Sequence, residues 1–158
     1  MALPFQTTLR WATEADFDAL ADVMFAAVRE GESPYTEAQR QAWVPEPRRG
    51  SVWRTRLLSQ EIIVAEAEGR LLGFMSLAEG GYIDFAYIRA EARGAGLFRE
   101  FFQRILERAR AKGVGLLWVH ASLTAEPAFS ALGFVVRHRE QVTIGAEVLD
   151  RFEMEMTL

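Results

Sequence analysis

The segment Gly81–Leu97 joins an apolar run to a glycine-rich turn and then to a helical stretch, and it constrains the chain more than any other. Tyr82–Ile88 is aromatic, β-branched and apolar, which predicts a strand. Residues 97–112 predict a helix that Gly113 stops. Between them lies Arg93-Gly94-Ala95-Gly96. A strand feeding a Gly-x-Gly turn at a helix start gathers several free backbone N–H groups where the helix dipole is positive, which suits a phosphate or pyrophosphate. Glycine there lets the backbone approach an anion without an intervening Cβ. An ordinary strand-to-helix turn would use the same residues. The dinucleotide fingerprint is not met, because position 99 is Arg where a third glycine would stand, and no Gly-Lys-Ser/Thr phosphate loop occurs.

The remaining pattern predicts a mixed α/β layered domain spanning 1–158, with about seven strands and helices on both sheet faces. Thr8–Trp11 predicts a first strand. Thr13 and Asp16 predict a capped helix reaching Arg29, with Phe17, Leu20, Ala21, Met24, Phe25 and Val28 on its buried face. Thr36 predicts the cap of a short helix to Trp43, which Pro45 and Pro47 stop, and Ser51 starts another to Leu58. Glu61–Ala67 and Leu71–Ala78 predict a hairpin through Glu68-Gly69-Arg70. Gly115–Ala121 predicts a buried strand, Ser122 or Thr124 caps a helix to Ala131, and strands 134–143 and 147–157 close the chain.

Several function classes are excluded or disfavoured. The chain has no cysteine, so disulfides, thiolate metal sites and a cysteine nucleophile are absent. Only His120 and His138 are present and they share no helical face, which argues against a metal. The net charge of −4, with Glu100 and Glu107 interleaving Arg99, Arg104, Arg108 and Arg110, argues against nucleic-acid binding. No apolar run is long enough to span a membrane and no basic-then-apolar leader opens the sequence, so the expected location is the cytoplasm. The closing hairpin would support a homodimer, although nothing in the sequence requires one.

The chain resembles the GNAT superfamily of N-acetyltransferases over essentially its whole length. Leu9–Asp16 resembles the family's opening strand and helix cap, and Ile83–Ile88 its central strand. Arg93-Gly94-Ala95-Gly96 matches the acetyl-CoA signature Gln/Arg-x-x-Gly-x-Gly/Ala up to its last position, which here is Phe98. Ala121–Phe129, closing in Leu132-Gly133-Phe134, resembles the second acyl-CoA motif. The segment Tyr35–Trp43 and the ending around Gly145 and Met154 resemble one bacterial subgroup.

The resemblance implies acetyl transfer from acetyl-CoA, as co-substrate, to a small-molecule or peptide amine in a ternary complex. It implies that the strands holding Ala86, Tyr87 and Ile88 and Val119–Ala121 run parallel and splay, freeing backbone groups for the pantetheine arm. The N–H groups of Arg93, Gly94, Ala95, Gly96, Leu97 and Phe98 would hold the pyrophosphate, and the Ile88 N–H would polarise the thioester carbonyl. Ser122, Ala125 and Phe129 would line the cofactor from the second motif. Phe129 stands where the family often has a tyrosine for protonating the thiolate, and it is expected to pack instead. Phe98 would either narrow the pyrophosphate site or rotate beside Phe101 and Phe102. These two phenylalanines motivate the alternative of a non-catalytic acyl-CoA-binding domain with the same fold.

Candidates for the amine side follow from alternation and from residue type. Alternation sets Tyr82, Asp84, Ala86 and Ile88 on one strand face and Ile83, Phe85 and Tyr87 on the other. Asp84 is a carboxylate inside an apolar strand, so it faces either a cleft or a partner. It either engages the acceptor amine or satisfies a loop. His120, late in the neighbouring strand, is the other candidate base or an ordinary strand-end histidine. Tyr35 and Trp43 lie on the segment that covers the acceptor pocket in the resembled family, with Tyr82 beneath. Glu30 and Glu32 would draw in a cation. His138 is expected to face solvent.

Overall fold

Ile62-Ile63-Val64-Ala65 is buried on both faces, Ile62 and Val64 toward one core and Ile63 and Ala65 toward the other. A continuous apolar strand of this kind needs cover on both sides, and helices supply it. The computed structural model describes residues 6–158. In chain order its elements are β1 (Thr8–Trp11), α1 (Phe17–Arg29), α2 (Glu37–Trp43), α3 (Gly50–Leu58), β2 (Glu61–Ala67), β3 (Arg70–Leu77), β4 (Tyr82–Ile83), β5 (Ala86–Ile88), α4 (Leu97–Ala111), β6 (Leu116–Ser122), α5 (Glu126–Leu132), β7 (Val135–Ile144) and β8 (Glu147–Thr157). Among the described residues no helix is long and apolar enough to cross a membrane.

The strands form two four-stranded sheets, ordered β1-β2-β3-β5 and β4-β6-β8-β7. One core holds α4 and Phe129 of α5 against β2, β3 and β6; the other holds α1 and α3 against the opposite face of β2 and β3. The single strand expected over Tyr82–Ile88 is interrupted. β4 pairs parallel with β6 at Tyr82–Trp118 and Ile83–Val119, whereas β5 pairs antiparallel with β3. The chain thus changes sheets between Ile83 and Ala86, and the expected splay is present.

The break also corrects the expected alternation. Ile83 packs in the α4 core and Phe85 in the α1 core, so the two do not share a face. Ala86 and Ile88 pack on the α4 side and Tyr87 on the α1 side. The cause is local. The Phe85 N–H donates to Ser76 Oγ at 3.0 Å while Ser76 N–H donates to the Phe85 carbonyl at 2.9 Å, and Asp84 is drawn toward α3.

The entry to α1 begins with a single 3-10 turn over Glu14–Asp16. Asp16 accepts from the Thr13 N–H at 2.8 Å, as the cap pattern predicts, and from both terminal nitrogens of Arg10 at 2.8 and 2.9 Å. The Arg10 guanidinium holds this carboxyl below the usual carboxylate range, against the opposing effect of burial. A folded-state value below the unfolded one gives stability that is present above about pH 4, the unfolded value, and lost as pH falls through the folded value. Asp16→Asn is therefore expected to cost about 1.5–3 kcal/mol at pH 7. The difference between variant and wild type should shrink as denaturant melts are repeated below pH 4.

Candidate active site

The parting of β5 from β6 opens a cavity of about 380 Å³. Ala86, Tyr87 and Ile88 form one wall, and Ser122, Thr124, Ala125, Ala128, Ala131 and Leu132 form the wall opposite. Arg89 N–H donates to the Leu72 carbonyl at 2.8 Å, and Leu72 stands opposite Arg89 in the β3–β5 register. Hydrogen-bonded pairs alternate in an antiparallel ladder, so Phe85, Tyr87 and Arg89 direct their backbone groups at β3. Ala86 and Ile88 then direct theirs away from β3, into the gap that β6 has left.

The glycine turn closes one end of this cavity through Arg93, Gly94, Gly96, Leu97, Phe98 and Arg99. Gly94 and Gly96 adopt φ of 77° and 87°, left-handed values that a β-carbon would strain. Gly96 caps α4, whose first internal bond runs from the Glu100 N–H to the Gly96 carbonyl at 3.2 Å. The N–H groups of the first helical turn thus have no intrahelical partner and stand at the positive end of a 15-residue helix. Arg93 acts as a latch for the turn. Its guanidinium donates to the carbonyls of Ala27 at 2.7 Å and Ile88 at 3.3 Å, joining the end of α1 to the end of β5.

Of the residues expected to line a cofactor, Ala95 and Phe129 are not in the cavity wall. Phe129 is fully buried and meets Phe98 and Phe134 edge to face at 4.9 and 5.0 Å. Phe98 lines the cavity and rests on Phe129, leaving the space beside it open. Ala27, Val28 and Ser33 join the wall without any advance signal, because α1 and its following turn approach only through the tertiary fold, and Arg99 joins it from the first turn of α4.

A second cavity, of about 150 Å³, meets the first at Trp43, Tyr87 and Ser122. Tyr35, Tyr82, Asp84 and His120 all line it, so the structure brings the four expected amine-side polar residues together. Glu32 lines the first cavity instead, and Glu30 is exposed. Asp84 is held by Arg56 Nε and Nη2 at 2.9 and 2.7 Å and by Gln60 Nε2 at 2.6 Å. This clamp occupies three of the roughly four lone-pair sites of the carboxylate. Tyr35 is buried and its hydroxyl is consumed by the fold, donating to the Asp150 carbonyl at 2.5 Å and accepting from the Leu123 N–H at 2.9 Å. Its ring meets Trp43 edge to face at 5.8 Å.

The Tyr82 hydroxyl lies 2.9 Å from His120 Nδ1, and His120 Nε2 lies 3.6 Å from Glu140 Oε1. Burial pushes the Tyr82 phenol up, so it stays protonated at neutral pH, and it donates to Nδ1 when the imidazole carries its proton on Nε2. In that tautomer the ring proton faces Glu140. Arg151 Nε holds the same Glu140 oxygen at 2.7 Å. Arg48, Arg56 and Arg151 line this cavity, and no sequence pattern marks them, since they come from three separate elements. His138 is 71% exposed, as expected. Among the described residues no group of three or more His, Asp or Glu side chains is placed to hold a metal.

The family model for the acetyltransferase (GNAT) domain matches residues 32–158. No curated protein matches the chain. Among solved structures, a GCN5-related N-acetyltransferase from Rhodopseudomonas palustris is 25% identical, with a TM-score of 0.86 over 100% of both chains. The YncA protein of Salmonella typhimurium, with its cofactor acetyl-CoA, is 22% identical and superposes with a TM-score of 0.68 over 97% of this chain and 94% of that one. The PaiA N-acetyltransferase of Thermoplasma acidophilum, in complex with coenzyme A, is 17% identical, with a TM-score of 0.72 over 97% and 99%.

The Tyr35 hydroxyl bridges two otherwise separate backbone groups, one after β6 and one on β8. Tyr35→Phe strands the Leu123 N–H and the Asp150 carbonyl, and is expected to cost about 1–3 kcal/mol of stability in a denaturant melt.

Proposed function

The chain belongs to the GNAT family of acetyltransferases, and we propose that it acts as a single domain, residues 1–158, acetylating a primary amine with acetyl-CoA as co-substrate. The observation that carries this reading is the shared boundary of the two cavities. One has the freed backbone of β5 and a helix N-terminus, and the other has the polar groups suited to an amine. The acetyl-CoA and coenzyme A held by the Salmonella and Thermoplasma neighbours support the choice of co-substrate.

The first-turn N–H groups of α4 bind the pyrophosphate, with Arg99 at the rim and the Arg93 latch holding the turn in place. The outward N–H and carbonyl of Ala86 hold the pantetheine arm as an added strand would be held, the Ile88 carbonyl being engaged by Arg93 Nε. The Ile88 N–H donates to the thioester oxygen and stabilises the negative charge that develops there. Acetyl-CoA supplies the activated acyl group. The amine enters from the second cavity past Ser122 and Tyr87.

His120 takes the amine's proton. In the tautomer with its proton on Nε2, His120 Nδ1 accepts from the Tyr82 O–H 2.9 Å away, so the proton passes to the Tyr82 oxygen as the phenol proton moves to Nδ1. Glu140 faces Nε2 and balances the resulting imidazolium. Asp84 takes no part in this transfer and keeps Arg56 and the floor of the cavity fixed. The departing thiolate needs no dedicated acid, since a free thiol has a pKa of only ~8.5. Phe98 packs on Phe129 instead of filling the cleft, which favours turnover over the non-catalytic alternative.

His120→Ala should lower kcat for amine acetylation about 10²- to 10⁴-fold, with the acetyl-CoA dissociation constant unchanged. Steady-state kinetics beside calorimetric titration check this. An unchanged kcat would remove His120 from the mechanism, and an absence of acetyl-CoA binding to the wild type would end the acetyltransferase reading.

A further inference from the structure

The charges around the second cavity are paired, with one exception. Arg56 is matched by Asp84 at 2.7 Å, Arg151 by Glu140 at 2.7 Å, and Asp150 by Arg139 at 2.6 Å. Arg48 also lines the cavity, yet its guanidinium forms no ion pair among the described residues. Its Nε is buried and has no hydrogen-bond partner. Both carboxylates in the cavity wall are already committed, Asp84 to Arg56 and Gln60 and Asp150 to Arg139 and Gln141.

An unpaired, partly desolvated guanidinium is costly, and a fold tolerates it where a ligand completes the pair. The guanidinium is a planar fork whose geometry matches a carboxylate through two parallel hydrogen bonds. Arg48 is carried on the connection between α2 and α3, just after Pro45 and Pro47, whose rings restrict the backbone that presents it. The cavity is small, below the roughly 300 Å³ at which sites for drug-sized ligands begin. It therefore has room for a compact acceptor that brings its own anion.

We infer that the acceptor is a small amino acid, an amine that also bears a carboxylate, and that Arg48 binds the carboxylate while the amine faces Tyr82 and His120. This rests on the reading of the second cavity as the acceptor site. The two ends of such a molecule meet opposite chemistry, with a proton-accepting pair at one end and a lone cation at the other. A carboxylate-free amine would leave Arg48 uncompensated, and a backbone amide in place of the acid would offer it one neutral oxygen.

The test compares kcat/KM for the twenty standard L-amino acids, β-alanine and γ-aminobutyrate with that of each compound's primary amide, in wild type and Arg48→Gln. Acetyl-CoA affinity is followed by calorimetry, and the acids are also titrated into the CoA-loaded protein. At least one acid should be preferred over its amide by about ten- to a hundredfold. In Arg48→Gln that ratio should collapse toward one through KM, with acetyl-CoA affinity retained. Arg48→Lys, which keeps the charge and loses the fork, should give an intermediate ratio and serves if the glutamine variant does not fold. Equal rates for acid and amide in wild type, or a preference that survives Arg48→Gln, would overturn the inference while leaving amine acetylation intact. Binding of acetyl-CoA with no amine acetylated would instead defeat the functional reading. In that case, absence of Arg48-dependent acid binding to the CoA-loaded protein would overturn this inference as well.

Discussion

Everything functional in this molecule depends on where a parallel strand pair stops. β4 and β6 are joined for two residues, and beyond Ile83 and Val119 the backbones part. Parting strands is costly because each loses a ladder of hydrogen bonds, and the fold recovers only some of the loss. Phe85 is satisfied by Ser76, Tyr87 and Arg89 by β3, and the Ile88 carbonyl by Arg93 Nε, while the backbone groups of Ala86 and the Ile88 N–H face the gap. The cleft is an incomplete sheet of the kind that a linear ligand able to donate and accept hydrogen bonds would complete.

The surroundings keep the gap from closing. On one side α4 and Phe129 of α5 pack into a core that includes Phe101, Phe102 and Phe134. On the other, α1 and α3 pack against β2 and β3, with Trp53 Nε1 donating to the Phe17 carbonyl at 2.8 Å. Arg93 ties the glycine turn to both α1 and β5, so the turn is held by the same elements that line the cleft. Tyr35 does the corresponding work at the second cavity by pinning β8 and the residues after β6. The polar residues most distant in sequence are thus the ones that set the distance between the two walls.

Much of this was legible from the residues. Period-two and period-three-to-four apolar spacing located the strands and helices, because those spacings follow directly from backbone geometry. The Thr13–Asp16 cap, the Thr36 cap and the glycines at 94 and 96 were visible because each depends on a few neighbouring residues. What escaped was tertiary. The alternation drawn through Tyr82–Ile88 failed because one serine on β3 and one arginine on α3 bend the strand at Asp84. The second cavity's charges come from α3, the loop before it and the closing hairpin, and no local spacing signals their convergence. Asp84, expected to face either a cleft or a partner, does both, and its partners Arg56 and Gln60 carry no local signal. Arg48 carried no signal at all, because an arginine becomes informative only when every neighbouring charge is known to be taken.

The most direct test of the splayed-strand account is amide hydrogen exchange on the protein with and without acetyl-CoA. Slowed exchange confined to residues 86–99 and to 122–128 is predicted, with β7 and the far end of β8 unaffected. Binding that leaves 86–99 unprotected, or that protects a different face, would contradict the assignment of the cleft.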